Sequence, residues 1–141
     1  MSEIPFPYLQ NGSDRVALVE GHNSYNYSEV NSRINRFATG LLGDQEDLQE
    51  ERIAFFMPAS LDYVTTMHGV WRAGGITVPL NVASAVSELD HYLTCASVTR
   101  MIANAEYQDL LRELCDSLNI QLLSVEDVLA EEAGRLPEIA A

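Results

Sequence analysis

RIAFFMPASLDYVTTMHGVWRAGGITVPLN, residues 52–81, decides the fold. Arg52 to Met57 is a short apolar run stopped by Pro58, which predicts a buried strand and a turn. Ser60 is placed to cap a helix, and Asp62 puts a negative charge at its positive end. Leu61, Val64, His68 and Trp71 form one stripe and Tyr63, Met67 and Val70 another, so the helix is expected to be apolar nearly all round. Gly74-Gly75 supply a helix stop, and Ile76-Thr77-Val78 re-enters a sheet. Strand, helix and strand at this spacing imply a right-handed parallel crossover.

Outward from this unit the pattern is similar. Val16 to Glu20 and Ser24 to Tyr27 flank Gly21-His22-Asn23, a predicted hairpin with a three-residue turn. Ser28 is expected to cap a helix carrying Val30, Ile34, Phe37, Ala38, Leu41 and Leu42 on one face and ending at Gly43. After Pro79, Ser84 or Ser87 should open a helix with Val86, Leu89, Tyr92, Leu93 and Ala96 inward. Thr99 to Ala103 is strand-like. Asn104 is expected to cap a helix whose stripe is Tyr107, Leu110, Leu111, Leu114, Cys115 and Leu118. Ile120 to Leu123 is the last expected strand, Ser124 to Asp127 a capping box, and residues 134–141 a tail after a unit of 1–133. Alternating strands and helices predict an α/β fold, a doubly wound and mainly parallel sheet flanked by helices, with an N-terminal β-hairpin.

Composition narrows the function classes. The 141 residues suffice for one domain that buries roughly two thirds of its unfolded surface. The 21 acidic residues outweigh 8 basic ones, all arginine, for a net charge of −13. Nucleic acid is thereby disfavoured as a partner, since its affinity comes from positive charge releasing counterions. No apolar run is long enough to cross a bilayer, and MSEIPFPYLQNG lacks a basic segment followed by an apolar one. A cytoplasmic location without membrane insertion is the expectation. Cys95 and Cys115, with no CxxC, are expected to be reduced and mostly packed.

Residues 52–60 resemble the RVAI-x-x-PNS segment of adenylate-forming enzymes, with Pro58-Ala59-Ser60 departing from the usual Pro-Asn-Ser. VWRAGGITVPLN is similar to that family's AGA-x-x-VPL-N/D signature, and residues 25–30, YNYSEV, resemble its upstream (T/S)YxEL segment. The wording is closest to the malonyl- and fatty-acyl-CoA synthetase branches. The resemblance spans about Arg15 to Val128 and covers only the beginning of the family's longer sequence. It implies a portion of a larger enzyme that converts carboxylate, ATP and coenzyme A into acyl-CoA, AMP and pyrophosphate with Mg2+.

The family's phosphate chemistry falls to a Ser/Thr/Gly-rich loop ending in lysine, a later acidic residue and a catalytic lysine. This chain has no lysine and no such loop, although residues 136–140 resemble the approach to it. No catalytic, cofactor-binding or metal-binding residue is therefore assigned, and no cofactor is expected for these residues alone. The expectation is an N-terminal scaffold, shortened by truncation, proteolysis or an interrupted gene and inactive by itself. Its partner would be the remainder of the enzyme, and its exposed edge or apolar patch predicts a homo-oligomer. The alternative is a stand-alone α/β binding or interaction module that kept the fold without the chemistry. A dinucleotide-binding domain is disfavoured, since no GxGxxG follows a predicted strand.

Gly74-Gly75 follow a helix rather than a strand, so a C-cap is preferred over a phosphate loop. His22 reads as a turn residue, His68 as core-facing and His91 as exposed, without metal-ligand spacing. The acidic run 44–51 reads as a solvated connector rather than a cation loop. Arg33 and Arg36 read as surface ion-pairing residues, and Tyr63 and Trp71 as core rather than acyl-pocket residues.

Overall fold

The computed structural model describes residues 13–137. Residues 138–141, the end of the expected tail, lie outside that range. In chain order the elements are β1 (Val16–Glu20), β2 (Asn23–Asn26), α1 (Tyr27–Leu42), β3 (Arg52–Phe56), α2 (Leu61–Arg72), β4 (Ile76–Leu80), α3 (Val86–Ala96), β5 (Arg100–Ala103), α4 (Ala105–Ser117), β6 (Gln121–Leu123) and α5 (Val125–Val128). β1 and β2 form a separate antiparallel hairpin, and the other four strands form one sheet of order β4-β3-β5-β6.

All three pairings in that sheet are parallel, with Phe55 opposite Pro79 and Ile102, and Met101 opposite Leu122. From β3 the chain steps to one side to make β4, then returns past β3 to make β5 and β6. That reversal, between β3 and β5, makes the sheet doubly wound and gives it a topological switch point.

Alternation along the strands divides the core in two. Ile53, Phe55, Met57 and Ile102 face α1, α2 and α5, where Phe37, Leu41, Val70, Val125 and Val128 are buried. Ala54, Phe56, Met101 and Ala103 face α3 and α4, where Leu89, Leu93, Leu111, Leu114 and Cys115 are buried. Successive side chains point to opposite faces, so strands of four or five residues serve two cores at once. Edge-on ring pairs lock each side: Phe55 with Tyr63 at 4.8 Å and Phe56 with Tyr107 at 4.9 Å between centroids.

Several local expectations are corrected. The hairpin turn has two residues, because Glu20 pairs with Asn23; Gly21 takes φ +60° at the first turn position, where glycine is favoured. Asn26, not Ser28, caps α1: its side chain accepts from the Glu29 N–H at 2.8 Å, while the Ser28 N–H donates to the Ser13 carbonyl. Ala85 stands at the start of α3 without a side-chain cap, and Val86 and Tyr92 are exposed rather than inward. Leu110 of α4 is likewise exposed. Those three fall on the edges of their stripes, where the sheet does not reach.

Candidate functional site

Open parallel sheets bind ligands in the crevice beyond the carboxyl ends of their strands, at the switch point. Here that crevice is bordered by residues 57–60 after β3 and by Asn104 after β5. Ser60 caps α2 as expected, accepting from the Tyr63 N–H at 3.1 Å. The next free donor of α2, the Leu61 N–H, is taken by a carboxylate of the chain itself: Glu20 Oε2, at the end of β1, accepts at 3.1 Å. A negative group therefore occupies the positive end of this dipole.

Across the crevice Asn104 precedes α4 but its side chain makes no capping bond, and its buried Oδ1 has no partner. Gln108, one turn on, donates to the carbonyls of Ala103 and Leu123 at 2.9 and 3.2 Å, tying the ends of β5 and β6 together. The groups gathered at the crevice are thus amide, hydroxyl and carboxylate.

The cations are engaged by groups of the chain itself. Arg33 pairs with Asp62 at 2.7 Å, and Arg36 donates to the Ala130 carbonyl at 2.8 Å. The first fulfils the ion-pair expectation, whereas the second anchors the segment after α5. Arg100 grips Glu51 through Nε and Nη2 at 2.7 and 3.0 Å and also donates to the Leu41 carbonyl. Burial alone would raise the Glu51 carboxyl, but hydrogen bonds from Arg100 and Thr99 and the guanidinium charge outweigh it and hold it below its ordinary value. Arg72 is buried, with Nη1 donating to Asn31 Oδ1 at 2.8 Å and to Asn35 Oδ1. Arg52 and Arg112 are committed to Ala96 and Asp109 respectively.

Magnesium-bound nucleotide needs cations and hard oxygen ligands converging on one point. With six of the eight arginines committed to carbonyls, amides or carboxylates and no lysine present, the residues here do not fit a triphosphate. Among the described residues no group of three or more His, Cys, Asp or Glu side chains is placed to hold a metal ion.

The remaining candidates fall as follows. Gly74 takes φ +89° beyond the end of α2, where the Gly75 N–H closes back on the Val70 carbonyl, the expected helix stop. His68 is half-buried against Trp71, its imidazole pushed down by burial and then by the charge of Arg72. Trp71 donates from Nε1 to Thr77 Oγ1 at 3.1 Å, and Tyr63 packs on the core beside Phe55. His22 lies in the hairpin turn and His91 is exposed. The connector 44–51 is mostly exposed, with Leu48 buried and Gln49 and Glu50 at positive φ. It borders a cavity of about 450 Å³ lined by Gln45, Glu46, Asp47, Arg135, Leu136 and Pro137. Sequence reasoning missed both the Glu20 contact and the orphaned Asn104 oxygen. Neither has a local signature, since each depends on elements distant in sequence.

Comparison with known proteins places this geometry. The family model of AMP-binding enzymes matches residues 8–138. The chain belongs to the AMP-binding enzyme family. It is 29% identical over 134 residues to the human mitochondrial malonate–CoA ligase ACSF3, covering 88% of this chain and 23% of that protein. The fold matches apo MatB of Rhodopseudomonas palustris with a TM-score of 0.79 at 19% identity, covering 96% of this chain and 29% of MatB. It also matches the N-terminal subdomain of Klebsiella oxytoca NpsA in complex with 3-hydroxybenzoyl-AMSN, with a TM-score of 0.75 at 18% identity, 96% of this chain and 33% of that one. The chain therefore corresponds to the N-terminal portion of an AMP-binding enzyme and spans about a quarter of the length of the malonate–CoA ligases it matches. Ligases of the family use ATP and coenzyme A.

Proposed function

We propose that these residues are the structural front end of an acid–thiol ligase and do not adenylate a carboxylate by themselves. In the complete reaction a carboxylate oxygen attacks the α-phosphorus of ATP, pyrophosphate leaves, and the thiol of coenzyme A then displaces AMP from the acyl carbon. Every step needs positive charge on a phosphate or developing oxyanion. The observation that carries the reading is the committed state of the guanidiniums, in a chain without lysine, beside a crevice whose helix end already holds Glu20. What these residues supply is a rigid two-core layer whose remaining partner is the rest of such a ligase.

ATP–pyrophosphate exchange tests the reading. The isolated chain, offered malonate and a panel of fatty acids with MgATP, should exchange no label above a protein-free control. Supplying the remainder of a family ligase as a separate polypeptide should restore exchange only when this chain is present. Exchange by the pure chain would overturn the proposal.

A further inference from the structure

The strand ends that border the crevice carry an apolar rim. β4 and β5 flank β3, and neighbouring strands lie about 4.8 Å apart, so the segments leaving β4 and β5 face one another across roughly 10 Å. Residues 81–88, after β4, are all exposed but Ser84, and Val82 and Val86 stand 37% and 40% exposed. Val86 lies one turn before Leu89 and two before Leu93, on the side of α3 that packs against the sheet. Leu89 and Leu93 are buried there and Val86 is not, so the inward stripe of α3 outruns the strands and overhangs the crevice. Pro58 and Ala59, after β3, are exposed as well.

Asn104 stands at the matching place before α4. Its side chain makes no cap, and Oδ1 is buried without a hydrogen-bond partner. Polar atoms taken out of water are normally paired, so this oxygen marks where a donor belongs. A small anion does not fit, because it would bring a further acceptor to segments that hold no basic side chain. Glu88 and Glu106 add negative charge in the first turns of α3 and α4. Apolar side chains together with an N–H donor are what a polypeptide surface offers. The open edge of β4 is a poorer seat for one. The Ile76 N–H turns inward to the Glu51 carbonyl, so alternation turns Thr77 and Pro79 outward, and Pro79 has no N–H to give.

This chain spans about a quarter of the malonate–CoA ligases it matches, which leaves most of such a ligase to supply the cover. Resting on the reading of these residues as the front end of an acid–thiol ligase, we propose that the rest of that ligase is seated in this crevice. A segment of it lays apolar side chains over Val82 and Val86 and donates an N–H to Asn104 Oδ1.

The full chain, tagged, is produced in one cell with the part of the malonate–CoA ligase relative that lies beyond the matched residues, and capture is quantified. Val86→Glu and Asn104→Leu should each weaken capture about tenfold or more, with circular dichroism and the urea midpoint as in the parent. Asn104→Asp keeps the acceptor and should be captured as the parent is. Tyr92→Glu and Leu110→Glu change exposed apolar residues away from the crevice and should stay within about twofold. In the captured complex, amide hydrogen exchange should slow at residues 57–60, 81–88 and 104–107. Capture that is absent with the parent, survives either Val86→Glu or Asn104→Leu, or falls equally with Tyr92→Glu would overturn the seat, as would protection confined to other segments. Pyrophosphate exchange by the isolated chain would overturn the underlying reading instead, whatever the capture shows.

Discussion

Arg72 is the residue whose burial is hardest to compensate. Among the described residues it pairs with no carboxylate; the Asn31 and Asn35 amide oxygens hold Nη1, and Nη2 is buried without a hydrogen-bond partner. Burial accordingly pushes its guanidinium below the ordinary value. The side chain stays because it stitches α1 to the end of α2, where both asparagine oxygens need a donor. Arg72→Ala would strand those oxygens and empty the space, and should destabilise the fold by about 2–4 kcal/mol in urea unfolding. A loss below about 0.5 kcal/mol would show that solvent replaces the guanidinium freely. Two other residues set the response to acid. Glu51 is held below its ordinary 4.5 and His68 below 6.5, so the unfolded chain binds protons more readily at both. Stability from a lowered pKa is fully present above the unfolded value and is lost as pH falls through the folded one. Resistance to thermal unfolding should therefore fall in two stages on acidification, first below about pH 6.5 and again below about pH 4.5. Glu51→Gln should remove the lower stage alone, and an unchanged lower stage in that variant would assign it to another group.

Helices α1 and α2 show why some elements are legible in sequence and others are not. Caps are short-range, so Ser60 and the reciprocal Ser124–Asp127 box are as read, and the stripe of α1 from Val30 to Leu42 is buried throughout. The face of α2 is not. Its stripe of Leu61, Val64, His68 and Trp71 is only half-buried, whereas Thr65, Thr66, Gly69 and Val70 meet the core. A hydrophobic pattern reports greasiness, but close helix approach selects small side chains, and threonine hides its hydroxyl by bonding back to the preceding turn, as Thr65 does to the Leu61 carbonyl at 2.8 Å. Glycines mark two close approaches within these helices. A methyl at Gly69 would run into the Phe37 ring, and one at Gly40 into the Val128 carbonyl of α5. The ring can shift and the backbone cannot. Gly69→Ala should cost about 1–3 kcal/mol and Gly40→Ala about 3 kcal/mol or more, both read from chemical denaturation. Equal losses would mean that α5 gives way as readily as a side chain.

At the scale of the whole molecule, the doubly wound layer was legible because its two central parallel strands, β3 and β5, are buried on both faces and leave near-continuous apolar runs. The crevice was not, because Glu20 reaches the Leu61 N–H, and Gln108 the Leu123 carbonyl, only once elements distant in sequence have docked. The two cores share the same strands, which argues that they stand or fall together. Cys115 reports on this. It is buried in the α3–α4 core, with its thiol pushed up to about 11 by burial and then by Asp116, while Cys95 is exposed. The thiolate is the reactive form, so a neutral disulfide reagent should label Cys95 at once and Cys115 only through openings of the fold. Gly40 lies on the opposite face, against α5, and contributes nothing directly to the Cys115 pocket. If β3 and β5 couple the cores into one cooperative unit, Gly40→Ala should speed Cys115 labelling by the factor its equilibrium destabilisation sets, about tenfold for each 1.4 kcal/mol. Labelling of Cys115 that stays at the parent rate in a measurably destabilised Gly40→Ala protein would show that the two faces open independently. The sheet would then be a shared floor rather than a mechanical link.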